Sequence, residues 1–167
     1  MKKNTRILAM GAVLAAMYVA LTHLQNLLLP GSATWAIQFR AAEALCVLAL
    51  FTPAAIPGLT VGCFLFNLSY SAALPLDILV GSLATFLSVG AAYLLRQKTI
   101  KGYPLLSILM PVLFNSVFVG WELAVYIGGG FWLNAIYVAI GEAAVMLTLG
   151  TALYYGIKAR HLERLLG

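Results

Sequence analysis

Five charged side chains interrupt stretches of sequence that are otherwise apolar: Arg40, Glu43, Asp77, Glu122 and Glu142. A buried carboxylate accepts hydrogen bonds from N–H donors, and its bonds to charged donors are the shortest and strongest. Ionisable groups in such surroundings are costly, and they usually face an interior cavity or a partner charge. The four acids and Arg40 therefore predict a polar site that binds a donor-rich ligand.

Each of these charged residues also has a structural explanation. Arg40 and Glu43 are three residues apart, so they can pair on one helix face and fix that helix against its neighbours. Asp77 suits the first turn of a helix, where the helix dipole favours a negative charge. Glu122 and Glu142 have no basic residue nearby in sequence, which makes them the stronger ligand-binding candidates. The candidate site also includes amides and one aromatic: Gln38, Asn67, Asn115, Asn134 and Trp121.

The common catalytic motifs are missing from the sequence. There is no P-loop, no HExxH zinc motif and no GxSxG nucleophile elbow, and no nucleophile accompanies the acids. His23 and His161 are predicted on opposite sides of a membrane, so they cannot share a metal ion. Cys46 and Cys63 lie in apolar runs and are interpreted as small buried side chains. We therefore expect neither an enzyme nor a bound metal or cofactor.

The composition indicates the environment of these residues. The sequence is 63% hydrophobic and 9% charged, with a mean hydropathy of +0.98, whereas a soluble domain carries about 25% charged residues. This composition predicts an integral protein of the lipid bilayer. The net charge of +5 does not indicate nucleic-acid binding, because the basic residues lie at the ends of apolar segments and form no run with aromatic residues.

The apolar stretches predict an all-α membrane protein with six transmembrane helices in a single domain, residues 1–167. Proline, glycine or charged residues separate the stretches, as expected at helix ends. The second and third helices are short, because about 13 residues of α-helix cover only about 20 Å of a hydrocarbon core about 30 Å thick. The six predicted helices span residues 6–29, 39–51, 56–70, 75–96, 104–127 and 131–158.

The basic residues predict the orientation of these helices. Nine of the ten lysine and arginine residues precede the first helix, separate the fourth from the fifth, or follow the sixth. With six crossings they all fall on one side, so both termini are predicted to be cytoplasmic. Only Arg40 departs from this pattern. The intramembrane acids and amides then gather in the outward half, which predicts a pocket open to the outside.

The first helix also carries a stripe of small residues, Ala9, Ala12, Ala16 and Ala20. Small side chains allow another helix to approach closely, and lipid gives no reason to expose them. The stripe therefore predicts either packing within this protein or a docking face for a partner membrane protein. The sequence GLTVG at residues 58–62 is interpreted as ordinary close packing rather than a dimerisation motif.

Four stretches of this chain resemble a known transporter family: AMGAVLAAMYVALT (9–22), QFRAAEAL (38–45), LPLDILVGSLAT (74–85) and GEAAVM (141–146). They resemble the S-component of an energy-coupling factor (ECF) transporter, and within that group the queuosine-precursor transporter family, QueT. The resemblance implies an S-component-like bundle that binds a micronutrient and docks on one membrane scaffold subunit with two cytoplasmic ABC ATPases. The family's docking face maps here to Ala12 and Ala16, with Ala9 and Ala20 beside them.

The resemblance also implies a ligand, namely a 7-deazaguanine such as preQ1, preQ0 or queuine. One carboxylate would accept from the N1–H and 2-amino edge, a second would pair with an aminomethyl ammonium, and an amide would donate to O6. We expect this importer in the plasma membrane of a prokaryote. Three alternatives stay open at this point: an S-component for another vitamin such as thiamine or riboflavin, a stand-alone small carrier, and a helical membrane scaffold.

Overall fold

The computed structural model describes residues 3–32, 39–70 and 76–166, and within these ranges the protein is helical with no strand. The all-α prediction is confirmed, and the predicted helix ends lie within three residues of the observed ones. In chain order the elements are α1 (Lys3–Leu28), a 3₁₀-helix (Ala41–Leu50), α2 (Ala55–Ser69), α3 (Asp77–Leu95), α4 (Leu105–Tyr126), α5 (Phe131–Val145), a π-helical turn (Met146–Gly150), α6 (Thr151–Ala159) and α7 (Glu163–Leu166).

Within the described ranges, four helices are long and apolar enough to cross a bilayer: Asn4–Leu28, Asp77–Leu95, Leu105–Tyr126 and Phe131–Ala159. Large apolar side chains such as Leu8, Leu94 and Trp132 project from them and are exposed, as suits a helix that faces lipid. The protein is therefore a membrane protein. The 3₁₀-helix and α2 are shorter apolar helices, so six complete crossings stay a prediction.

The 3₁₀-helix lies at the centre of the bundle. Eight of its ten residues are buried, and it contacts each helix from α1 to α6. Runs of 3₁₀-helix longer than four residues are uncommon, because their hydrogen-bond geometry is poorer than that of an α-helix. Here the 3₁₀ form makes a thin segment with a rise of about 2 Å per residue, so ten residues cover about 20 Å. The sequence predicts a helix at this position, and the surrounding packing selects its 3₁₀ form.

The pairing of α1 with α2 depends on glycine. A Cβ atom at Gly58 would lie 2.7 Å from the Gly11 carbonyl oxygen, and one at Gly62 would lie 2.7 Å from the Tyr18 Cβ. Real Cβ atoms do not approach other atoms so closely, so only glycine allows the two backbones this separation. The interpretation of GLTVG as a close-packing motif is confirmed.

The last long helix passes the 3₁₀-helix at its π-helical turn. A Cβ atom added at Gly150 would lie 3.3 Å from the Val47 Cγ2, so the two segments are in close contact there. Single π-turns inside α-helices occur frequently at functional sites. This π-turn begins four residues after Glu142, one of the candidate acids. On the other side of the bundle, α4 and α5 pack through Val119, Leu123 and Val138.

Candidate functional site

The structure brings the five charged residues into the interior of the bundle. Each of them is at most 3% exposed, although they come from the 3₁₀-helix and its N-cap, α3, α4 and α5. Arg40 interacts electrostatically with Asp77 and Glu43, Glu122 interacts with Asp77, and Glu142 interacts with Glu43. These residues therefore form one cluster, which we call the acidic cluster.

Both carboxyl oxygens of Glu43 already have donors within the protein. The Tyr18 hydroxyl donates to Oε1 at 2.5 Å, and the Cys46 thiol lies 3.2 Å from Oε2. Cys46 reaches Glu43 because side chains three residues apart are aligned on a 3₁₀-helix. Glu43 consequently joins α1 to the 3₁₀-helix, and this structural bond occupies the side chain.

The Arg40 guanidinium lies against α2 and α3. Its Nη1 is 3.9 Å from the Cys63 Sγ, and its centre is 5.8 Å from the Phe66 ring centroid. Gly81 leaves room for the neighbouring Asn67, because a Cβ atom there would lie 3.0 Å from the Asn67 Nδ2. Asn67 donates from Nδ2 to the Asp77 carbonyl oxygen at 2.8 Å. Asn67 thereby ties α2 to the first residue of α3.

The Glu142 carboxyl group has a hydrogen-bond donor on only one of its two oxygens among the described residues. Its Oε1 accepts a hydrogen bond from the Asn115 Nδ2 at 3.0 Å, which links α5 to α4. Its Oε2 is buried and has no hydrogen-bond partner among residues 3–32, 39–70 and 76–166. One oxygen of this carboxylate is therefore held in place by the protein, and the other is available to a ligand.

Among the acids of the cluster, Glu122 is the least exposed to solvent. The side chain has 0% exposure, yet neither of its oxygens has a hydrogen-bond partner in the part of the chain that the structure describes. Its charged neighbours are Asp77, whose carboxyl group lies within hydrogen-bonding reach of it, and Arg40, which attracts it. A buried carboxylate without donors is costly, so Glu122 remains a candidate ligand contact.

Carboxyl groups outnumber guanidinium groups in the acidic cluster of the described residues. Four carboxyl groups face one guanidinium, and the other nine lysine and arginine residues lie in the terminal segments or between α3 and α4. No group of three histidine, cysteine, aspartate or glutamate residues that could hold a metal ion is found among the described residues. The arrangement can instead accept hydrogen bonds from a ligand that carries N–H donors or a positive charge.

Two of the predicted site residues that the structure describes do not join the cluster. Asn134 is buried, but its Nδ2 donates to the carbonyl oxygens of Gly128 and Gly130 at 2.7 and 2.9 Å. It therefore holds the glycine turn that precedes α5. Trp121 is 49% exposed and lines an apolar groove of about 640 Å³ on the outside of the bundle. Gln38 lies outside the residues that the structure describes.

Other residues of the site were not identified from sequence. Tyr18 donates to Glu43, and its only sequence signal is its position seven residues after Gly11 on the buried face of α1. Gln25 accepts from the Ala41 amide at 2.7 Å and donates to the Phe39 carbonyl oxygen, so it fixes the start of the 3₁₀-helix. No sequence pattern distinguishes Gln25 from an ordinary polar residue near a helix end.

The alanine stripe of α1 faces away from the bundle. The structure shows all four residues exposed, whereas Gly11 and Ala15 supply the small residues of the internal face. A groove of about 550 Å³ runs between α1 and α2 on this side, and Ala12 lines it together with Pro57 and Val61. The stripe is therefore a surface feature, and we call Ala9, Ala12, Ala16 and Ala20 the alanine face.

Comparison with known families gives one match. The family described as "QueT transporter" matches residues 8–159, which is nearly the whole chain. No curated protein matches the chain, and no solved structure does.

Proposed function

Because the chain belongs to the QueT transporter family, we propose that it is the substrate-binding S-component of an ECF-type ABC importer. Its ligand is a queuosine precursor, that is, a 7-deazaguanine such as preQ1, preQ0 or queuine, which it captures from outside the cell. The observation that carries this proposal is the acidic cluster, in which Glu122 and Glu142 are buried and keep three carboxyl oxygens without a protein donor among the described residues.

The chemistry of the ligand suits this cluster. A guanine-like ring presents N1–H and a 2-amino group side by side, and a carboxylate accepts two parallel hydrogen bonds of this kind. Its O6 needs a donor, which a side-chain amide of the cluster supplies. A site of this kind rejects analogues that lack the matching groups, because its buried polar atoms would then be left unpaired.

The ends of the helices support the proposed orientation. The Arg6 Nη2 donates to the Leu165 carbonyl oxygen at 2.7 Å, so both ends of the described chain lie together. Tyr103, which precedes α4, bonds through its hydroxyl to Thr151 on α6. The segments rich in basic residues thus meet at one end of the bundle. We propose six membrane segments in one domain, with both termini cytoplasmic, in the plasma membrane of a prokaryote.

The alanine face supports the proposed partners. An S-component has no nucleotide-binding motif, and it depends on a membrane scaffold subunit and two ABC ATPases for energy. The exposed alanines, with the groove lined by Ala12, Pro57 and Val61, allow a partner helix to approach closely. Docking through this face leaves the acidic cluster, which lies inside the bundle, free to keep its ligand.

Binding by the purified chain tests the proposal. We expect titration calorimetry in detergent, without ATP or partner subunits, to detect preQ1, preQ0 or queuine and to detect neither thiamine nor riboflavin. A folded chain that binds thiamine or riboflavin and none of the three deazaguanines would contradict the proposed ligand. Uptake into cells that lack the coupling module would contradict the S-component role, because a stand-alone carrier needs no ATPase.

A further inference from the structure

The basic residues outside the acidic cluster gather at one end of the bundle, where the start of α1, the turn between α3 and α4, and the end of α6 meet. Four of the five acids of the chain are buried in the acidic cluster. The fifth, Glu163, lies at this end with its Oε1 3.6 Å from the His161 Nδ1. Among the described residues, six exposed basic side chains accompany this one acid: Arg6, Lys98, Lys101, Lys158, Arg160 and Arg164. This end of the bundle is therefore strongly positive.

Three tyrosines join the two segments that carry Lys101 and Lys158. The Tyr103 ring, just before α4, is stacked on the Tyr155 ring of α6, with centroids 6.1 Å apart and an interplanar angle of 12°. Tyr154 packs edge-on against both rings, and the Lys158 Nζ lies 5.0 Å from the centre of the Tyr154 ring. Lys101 comes two residues before Tyr103. The tyrosine stack thus holds the turn that carries Lys101 against the helix that carries Lys158.

The backbone of this turn is unusual for a lysine. Lys101 and Gly102 form the loop of a tight hairpin, because the backbones of Ile100 and Tyr103 exchange hydrogen bonds of 2.9 and 3.0 Å. Both loop residues have positive φ, 52° and 80°. Such a loop prefers asparagine followed by glycine, since most side chains are disfavoured in the left-handed region. The turn itself does not favour lysine at position 101, which points to a role for its charge.

Apolar side chains at the same end remain exposed beside these charges. Ile100 is 51% exposed and Tyr155 is 52% exposed. Tyrosine is enriched where a membrane meets water, and lysine extends its charged group from apolar surroundings toward that interface. The matching ligand carries a negative charge next to hydrocarbon. Free phosphate has the charge alone, and it would leave Ile100 and Tyr155 without an apolar partner.

We propose that this end of the bundle binds an anionic phospholipid, whose phosphate contacts Lys101 and Lys158. Its glycerol and the first carbons of its acyl chains lie against Ile100 and Tyr155. The headgroup class is one with a net negative charge, such as phosphatidylglycerol, because the cation of a zwitterionic headgroup is repelled by the surrounding lysine and arginine residues. This site is separate from the acidic cluster and does not depend on the ligand proposed there.

Thermal unfolding of the whole chain in detergent tests the proposal, with phosphatidylglycerol or phosphatidylcholine of identical acyl chains added. We expect phosphatidylglycerol at about ten times its Kd to raise Tm by about 3 °C or more above the value in phosphatidylcholine. Inorganic phosphate at the same concentration should have no effect. The double variant Lys101→Asn, Lys158→Gln should lose the difference between the two lipids. Lys101→Asn alone should reduce it without lowering the Tm measured in the absence of lipid, because asparagine suits the left-handed backbone.

Arg164→Gln is the matched control, because it removes a positive charge at the same end from α7, outside the tyrosine stack. It should keep the full difference between the lipids, and a loss equal to that of the double variant overturns the site in favour of a diffuse charge effect. Equal stabilisation by the two lipids, or by inorganic phosphate, overturns the anionic-lipid assignment. If phosphatidylglycerol has no effect while the double variant fails to co-purify with the coupling module, the surface binds an acidic protein and the lipid proposal is wrong.

Discussion

Helix α1 carries small residues on two of its faces, and these faces have opposite environments. The inward face carries Gly11, Leu14, Ala15 and Tyr18, all of them buried against the bundle. The outward face carries Ala9, Ala12, Ala16 and Ala20, all of them exposed. On the inward side the partner is α2, whose Gly58 and Gly62 meet the α1 backbone directly. On the outward side the described chain supplies only the edge of a groove.

This difference shows that a stripe of small residues allows another helix to approach closely but does not specify which helix that is. Both faces permit two backbones to come near each other at the positions where they carry glycine or alanine. Among the described residues only the inward face packs against another helix, and lipid gains nothing from a surface of exposed alanine. The outward face is the docking surface that we propose for a second membrane protein. Six substitutions can separate the two roles.

The largest effect is expected for Gly62→Leu on the inward contact. Its Cβ would lie 2.7 Å from the Tyr18 Cβ and 3.0 Å from the Ala15 carbonyl oxygen, so α1 and α2 must move apart. We expect a loss of about 3 kcal/mol or more in the free energy of unfolding, measured by thermal unfolding in detergent. Gly90→Leu is the control, because nothing lies within 4 Å of a Cβ there. Equal stability of the two variants would show that the α1–α2 contact is not essential.

The second-largest effect is expected for Ala12→Trp and Ala16→Trp on the alanine face. Bulk at these positions blocks a partner helix by steric overlap, so co-purification with the coupling module and cellular uptake should be lost. Ligand affinity of the isolated chain should change less than threefold, about 0.7 kcal/mol, because the acidic cluster lies inside the bundle. Leu94→Trp provides a control at a position that is 77% exposed on α3.

Two outcomes would contradict the assignment of the alanine face. If both tryptophan variants lose ligand binding together with thermal stability, the alanines serve internal packing. If both keep the uptake of the unmodified chain, the alanine face has no role in docking.

A smaller effect is expected for Tyr18→Phe, a substitution on the inward face. The variant keeps the ring and removes the hydroxyl that donates to Glu43 Oε1 at 2.5 Å. Removing the donor to a buried charged group should cost about 1.5–3 kcal/mol of folding stability. Denaturant or thermal unfolding would measure this loss, with the exposed Tyr126→Phe as its control. Co-purification with the coupling module should persist, and its loss would show that the two faces are not independent.

The smallest effect is expected at the ends of the alanine face. Ala9 and Ala20 are the first and last residues of the alanine face, whereas Ala12 and Ala16 lie between them. Ala9→Trp and Ala20→Trp should therefore reduce docking less than tenfold, about 1.4 kcal/mol. Binding of the scaffold subunit to each variant in detergent measures this. A loss as complete as that of Ala12→Trp would extend the docking contact along the whole of α1.

Sequence reasoning identified where the helices are and which polar residues lie inside. Helix ends follow from apolar stretches and breakers, which act locally, and they agree with the structure within three residues. The burial of Glu122, Glu142 and Asn115 also follows from a local property, because each lies deep in an apolar helix. Their roles as ligand contacts stay predictions.

What sequence could not supply is the rotation of one helix relative to another. That rotation decides that Tyr18 meets Glu43, and it decides that Trp121 points outward rather than into the cluster. It likewise decides that Asn134 caps the glycine turn before α5. Hydrogen bonds between distant segments depend on tertiary packing, which no short-range pattern encodes.

The 3₁₀-helix at Ala41–Leu50 is expected to tolerate neither insertions nor deletions. With three residues per turn, a single inserted residue would rotate every later side chain by about 120° and advance it by about 2 Å. An insertion between Glu43 and Cys46 would separate that bonded pair, and Val47 would no longer meet Gly150. The exposed turn at residues 97–102 carries no such contact to the bundle core. Among relatives, insertions and deletions should therefore occur at that turn and be absent from Ala41–Leu50.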